Sequence, residues 1–194
     1  MWLLDKIVSL YYDAKNRKAR ALRDRERISE YWVMSAEQIY GLSDSEILAV
    51  LTMRIGAMVE KNGNGNCAAG KGLLTEIQRN YYIADTFERL VSDGGLLSFF
   101  ASPYRVLAPG LCDALEAVGA YEHYRLFKAF SICNDIDLDE LSYLDSVCDK
   151  QKKLELESLK KKFSFEKYDV RYNEIEPIEK YLLKYVRENV NDLL

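Results

Sequence analysis

Apolar residues recur at helical spacing along nearly the whole chain, and where the period fails stand residues that cap or break helices. Leu4, Ile7, Tyr11, Ala14, Ala21, Ile28 and Trp32 fall on one stripe, which predicts an amphipathic helix, or two in line, over residues 1–34. After a turn at Gly41, Ser43 and Glu46 form a capping box, opening a helix with Ile47, Leu51, Ile55 and Met58 inward. The period disappears in the Asn- and Gly-rich stretch that follows, so residues 61–72 are expected to be a mobile loop. Thr75 and Gln78 make a second box, ahead of a helix carrying Ile77, Tyr81, Ala84, Phe87 and Val91 that should stop at Asp93, Gly94 and Gly95.

Residues 96–100 are too short to assign by period, and Ser102-Pro103 enforces an extended or turn conformation after them. Pro109 suits the first turn of a helix with Leu111, Leu115 and Val118 on its face, and Gly119 should end it in a left-handed cap. Tyr124, Phe127 and Phe130 continue in another helix. Asp137 with Glu140 is expected to cap the next, running through Leu141, Leu144, Val147, Cys148 and Leu154 to three lysines, Lys160, Lys161 and Lys162, that offset the dipole at its end. Asn173 and Glu176, ahead of Pro177, introduce a last helix with Ile178, Tyr181, Leu182, Tyr185 and Val186 inward. The nearest approach to strand alternation is Phe163-Ser164-Phe165, too short to count. The fold class is therefore all-α: a single helical domain over residues 1–194, an irregular bundle of about eight helices.

Composition agrees with a folded chain: 194 residues, 48% apolar and 30% charged, enough to bury a core without disulfides or metal. Cys67, Cys112, Cys133 and Cys148 form no C-x-x-C pair and read as reduced, mostly buried thiols. Trp2, Leu3 and Leu4 run at once into Asp5 and Lys6, unlike a signal peptide, and no apolar stretch nears the ~20 residues that span a bilayer. A cytoplasmic protein is expected.

The net charge of −4 names no partner, but its distribution is uneven. Residues 15–27 carry seven Lys and Arg against Asp24 and Glu26, and residues 85–149 carry twelve acids against four bases. The basic helix, around Arg17, Arg20, Arg23 and Arg27, could meet nucleic acid or an anionic surface, although no aromatic between Tyr12 and Tyr31 is available to stack on bases.

Catalytic motifs are incomplete. Gly65 to Gly72 lacks the hydroxyl of a phosphate-binding P-loop, since Gly72 stands in its place, and a helix rather than a buried strand precedes it. Asp135, Asp137 and Asp139 alternate as in a calcium loop, but Glu140 and Ser146 replace its obligatory glycine and glutamate. The one histidine, His123, reads as a surface or satisfied core residue, and no carboxylate pair stands out in an apolar segment. No metal, no cofactor and no catalytic residue is expected.

Three pieces of the middle carry a resemblance. Leu74-Thr75-Glu76 with Gln78-Arg79 and Tyr82 comes first; then Ser92, Asp93, Gly94, Gly95 and Leu96 with Phe99-Phe100; then Ala108-Pro109 leading to Ala114-Leu115-Glu116-Ala117-Val118-Gly119-Ala120. With the closing Tyr181-Leu182-Leu183-Lys184-Tyr185-Val186-Arg187-Glu188-Asn189, this order over residues 74–190 resembles the bacterial DNA-mimic protein family, all-helical and often dimeric. Asp93, Leu96 and Ser98 depart from its signature. The resemblance implies a non-catalytic protein whose acidic surface engages a DNA-binding protein, and a homodimer. Asp135, Asp137, Asp139 and Glu140 are the partner-binding residues expected here. The alternatives are a nucleic-acid or anionic-surface binder working through the basic helix and a toxin-immunity protein.

Overall fold

The computed structural model describes residues 30–63, 70–142, 144 and 153–194, and no strand occurs among them. The chain divides into two compact units, Met1–Leu42 and Ser43–Leu194. In the first, α1 (Ala36–Tyr40) carries a capping box that the periodicity did not reveal: Ser35 accepts from the Gln38 amide while the Gln38 side chain takes the Ser35 amide. Of the basic amphipathic helix expected over residues 1–34, residues 30–33 are helical, residue 34 is not, and residues 1–29 lie outside the described residues.

The second unit contains α2 (Asp44–Gly63), α3 (Glu76–Phe100), a 3-10 segment (Pro103–Gly110), α4 (Leu111–Ala117), α5 (Tyr121–Cys133), α6 (Lys153–Lys162), α7 (Phe165–Tyr172) and α8 (Ile178–Leu193). Helix α3 is its axis, packing against α2, α4, α7, α8 and the 3-10 segment. Its middle is wrapped by these neighbours, and residues 81–88 are buried without a break. Around it the rings of Phe87, Phe99, Phe100, Phe127 and Phe130 meet mostly edge-to-face or tilted, with centroids 5.1 to 6.3 Å apart. Helix α8 closes one side, where Arg187 pairs with Asp44 of α2 and the Gln78 side chain reaches the Leu193 carbonyl.

The inward stripes of α2, α3, α4 and α8 lie largely where the period puts them, with Met58, Ile77, Tyr181 and Tyr185 half-buried rather than buried. Both halves of the Thr75–Gln78 box form, and Gly119 has φ +83°. At Ser43 only half of the box forms: the Glu46 carboxylate accepts from the Ser43 amide, but the Ser43 hydroxyl donates to that carboxylate instead of accepting from the helix.

Other expectations need correction. Residues 61–63 extend α2 and residues 70–71 are helical; residues 64–69 of the expected loop lie outside the described residues. Residues 137–141 are irregular, with a bend at 138–139, and only residues 142 and 144 are 3-10, so no α-helix starts at the Asp137–Glu140 pair; Asp137 instead accepts from the Asp139 amide and closes a local turn. Pro109 lies inside the 3-10 segment, which ends at Gly110, instead of opening α4. No side chain caps α8, and Asn173 instead ends α7. Cys112 is half-buried and Cys133, the last residue of α5, is exposed; Cys67 and Cys148 lie outside the described residues. Helix α7 has no counterpart in the sequence reading, although Phe165, Tyr168 and Tyr172 are buried at helical spacing.

Candidate functional site

Asp135, Asp137, Asp139 and Glu140 all sit exposed in the irregular segment that leaves α5. The exit is a Schellman turn: the Ile136 amide bonds the Ser131 carbonyl at 2.9 Å, the Asp135 amide bonds Ile132 at 3.2 Å, and Asp135 takes φ +52°. Asp tolerates this left-handed position better than most residues, though glycine would be the ordinary choice. Asn134 anchors the turn from both sides, donating to the Phe130 carbonyl and accepting from the Ser164 amide and hydroxyl. Asp137 Oδ1 accepts from the Asp139 amide at 3.0 Å, and Glu140 accepts from the Ser142 hydroxyl. Thus the capped end of α5 leads into a segment with four carboxylates that face water. Asp139 and Glu140 also border a cavity of about 320 Å³ whose other walls include Val106, Pro109, Leu138 and Leu141.

The signature turn belongs to a different place and does a different job. Gly94 (φ −159°, ψ 27°) and Gly95 (φ 74°, ψ −179°) break α3 into two helical segments, so residues 96–100 are helical after a kink. Asp169 of α7 caps the second segment, accepting the Leu96 amide at 2.8 Å. A Cβ on Gly95 would come within 2.4 Å of the same carboxylate, so the positive φ and the close approach both require glycine. Burial raises the Asp169 carboxyl above its ordinary range, against the bond from Leu96. Asp93 is exposed, while Leu96, Phe99 and Phe100 are core residues. The turn lines its own cavity of about 190 Å³, separate from the one beside Asp139.

The twelve acids of residues 85–149 do not share one fate. Asp85 and Glu88 are buried, Asp145 and Asp149 lie outside the described residues, and the other eight are exposed and available to a surface. Asp85 accepts from Thr52 at 2.9 Å and pairs with Arg89 at 3.0 Å. Glu88 accepts from the Tyr172 phenol and from Ser92 at 3.2 Å. Burial raises both carboxyls, opposed at Asp85 by Arg89 and at Glu88 by the Tyr172 hydrogen bond. Two carboxylates therefore stand in the buried run of residues 81–88. They face different helices and do not form a pair.

His123 also departs from expectation. It is 1% exposed, and neither ring nitrogen has a hydrogen-bond partner among the described residues; its neighbours include the rings of Tyr172 at 5.0 Å and Tyr181 at 6.3 Å. Desolvation holds its pKa down to about 4, which keeps the imidazole neutral at physiological pH.

Of the P-loop-like stretch, residues 70–72 are described. Lys71 donates to the Val106 carbonyl at 3.1 Å, and Gly70 lies so close to Val59 that a Cβ would stand 2.1 Å from its carbonyl oxygen. Both observations give these residues packing roles. Among the described residues no three His, Cys, Asp or Glu side chains gather as a metal-ligand set, and no helix is long and apolar enough to cross a membrane.

Nothing among the curated proteins or the solved structures matches the chain. Residues 72–189 match the family described as DMP19-like protein, a span that includes the kinked α3, the glycine turn with its Asp169 clamp, the acidic segment and most of α8. On that match over more than half its length, the chain belongs to the DMP19-like family of DNA-mimic proteins.

Proposed function

We propose that the protein is a non-catalytic cytoplasmic binding protein, a DNA mimic that engages a basic DNA-binding protein through an acidic surface containing Asp135, Asp137, Asp139 and Glu140. The observation that carries this reading, within a DMP19-like chain, is that all four carboxylates are exposed on one short segment anchored at a helix end. Carboxylates held at fixed positions compete with phosphates for a basic groove, and the attraction falls with salt over a screening length of ~8 Å at physiological ionic strength. Asp93, Asp113, Glu116 and Glu122 are exposed too, whereas buried Asp85 and Glu88 cannot reach a partner.

Affinity capture from the native cell, followed by mass spectrometry, tests the reading. A DNA-binding protein should be recovered, released by duplex DNA and by salt, and lost when Asp135, Asp137, Asp139 and Glu140 are changed together to Lys. Capture that survives the charge reversal would refute the assigned surface. Recovery of a toxin domain would point to immunity, and direct retardation of DNA by the purified chain would replace mimicry with nucleic-acid binding.

A further inference from the structure

A groove between α2 and the first half of α3 encloses about 500 Å³, within the ~300–1,000 Å³ typical of small-molecule sites. One of its lining residues is Gly56, in the interior of α2. Glycine weakens a helix interior relative to alanine, and packing usually explains it where a neighbour comes too close for a side chain. At Gly56 a Cβ would meet nothing within 4 Å among the described residues. No contact among the described residues requires this glycine, and its missing side chain leaves space in the groove beside Ala57.

Tyr82 and Tyr104 supply aromatic wall, and Arg89 supplies a cation. The guanidinium is aimed from behind: buried Asp85, itself held by Thr52, accepts from Nε at 3.0 Å. Nη2 makes only a long contact of 3.4 Å to Thr86, and the Arg89 side chain is 56% exposed. A guanidinium bound through Nε and one long Nη2 contact keeps the rest of its fork available for a second oxyanion. Glu60 also lines the groove, eight residues along α2 from Thr52 or ~12 Å at the helical rise, and it disfavours a second negative charge at that end.

We propose that this groove is a binding site for a small molecule with one oxyanion head, carboxylate or phosphate, on Arg89 and an apolar body beside Gly56 and the two tyrosines. The site shares none of its lining residues with the acidic segment, so it stands or falls independently of the mimic reading.

The test titrates the full chain with phenylbutyrate, phenylbutyl phosphate and uncharged phenylbutanol, reading amide chemical shifts of α2 and α3. At least one anion should saturate at millimolar concentration or below, the better of the two marking the preferred head, and the alcohol should bind at least tenfold more weakly. Gly56→Leu should abolish binding while circular dichroism shows the helical content and melting temperature retained. Arg89→Lys, which keeps the charge but loses the fork, should weaken the anion at least threefold. The proposal is overturned if neither anion saturates, if the alcohol binds as well as the anions, or if a folded Gly56→Leu or Arg89→Lys variant binds like the parent.

Discussion

The carboxylates of α3 and those of the segment after α5 are the same chemical groups placed under opposite physical conditions. Asp85 and Glu88 lie in the wrapped axis of the second unit, each matched to partners on another helix and on its own: Thr52 and Arg89 for one, Tyr172 and Ser92 for the other. Asp135, Asp137, Asp139 and Glu140 lie in water, and the hydrogen bonds they accept come from residues of the same short segment. A buried carboxylate costs stability unless its partners are in place, whereas an exposed one costs little and remains available. Acid count is therefore a poor guide to an acidic surface. Placement decides which acids can meet a partner and which instead make the core specific.

The largest expected effect comes from pH acting on the buried side of this comparison. His123 has its folded pKa at about 4, below an unfolded value of ~6.5, so neutral imidazole is favoured in the fold. Its contribution is fully present above pH ~6.5 and is lost as pH falls toward 4, on the order of 3 kcal/mol over that window. Asp85, Glu88 and Asp169 work the other way: their raised pKa values cost stability at neutral pH, and that cost is relieved as pH falls through the folded values. The difference in unfolding free energy between the parent and His123→Leu cancels the carboxylates. It should shift against the parent as pH drops from 7 to 4; a flat difference would mean that His123 is solvated or paired in solution.

Next in size is Tyr172→Phe. It removes the phenol that bonds Glu88 while leaving the ring against Phe87 and His123, and it should cost about 1–3 kcal/mol in urea unfolding at pH 7. The loss should shrink under acid, where Glu88 becomes protonated. A loss below ~0.5 kcal/mol would show that water replaces the phenol.

The smallest effect belongs to the exposed side. Asp137→Asn, Asp139→Asn and Glu140→Gln should each change unfolding free energy by less than about 0.5 kcal/mol. If any of them destabilises the fold as Tyr172→Phe does, the segment is structural and the contrast between the two regions fails.

The legible parts of the molecule were those written in short-range chemistry. Ile47, Leu51 and Ile55 mark a buried face because a helix repeats every 3.6 residues, and Thr75 with Gln78 or Gly119 mark ends because caps act within one turn. The same logic misled at Asp137: its spacing to Glu140 fits a cap, but an Asp side chain can also close its own turn, and there it does. Helix α7 was missed because Phe165, Tyr168 and Tyr172 offer too few turns for a period to stand out. For the proposed surface, the sequence named the four carboxylates and their neighbourhood on the chain. It did not separate the other acids of the middle into exposed and buried sets.

By itself, then, the sequence determined an all-helical chain, the glycine break in α3, the acidic middle and the family to which they belong, since helix periods, caps and signature spacings all act between residues near in the chain. Tertiary structure alone decided that Asp169 clamps the Leu96 amide from 73 residues away, that Glu88 meets Tyr172 across 84, and that His123 is buried with no hydrogen-bond partner among the described residues. Those outcomes depend on which helix faces which, and that is set by the packing of whole apolar faces rather than by any local preference.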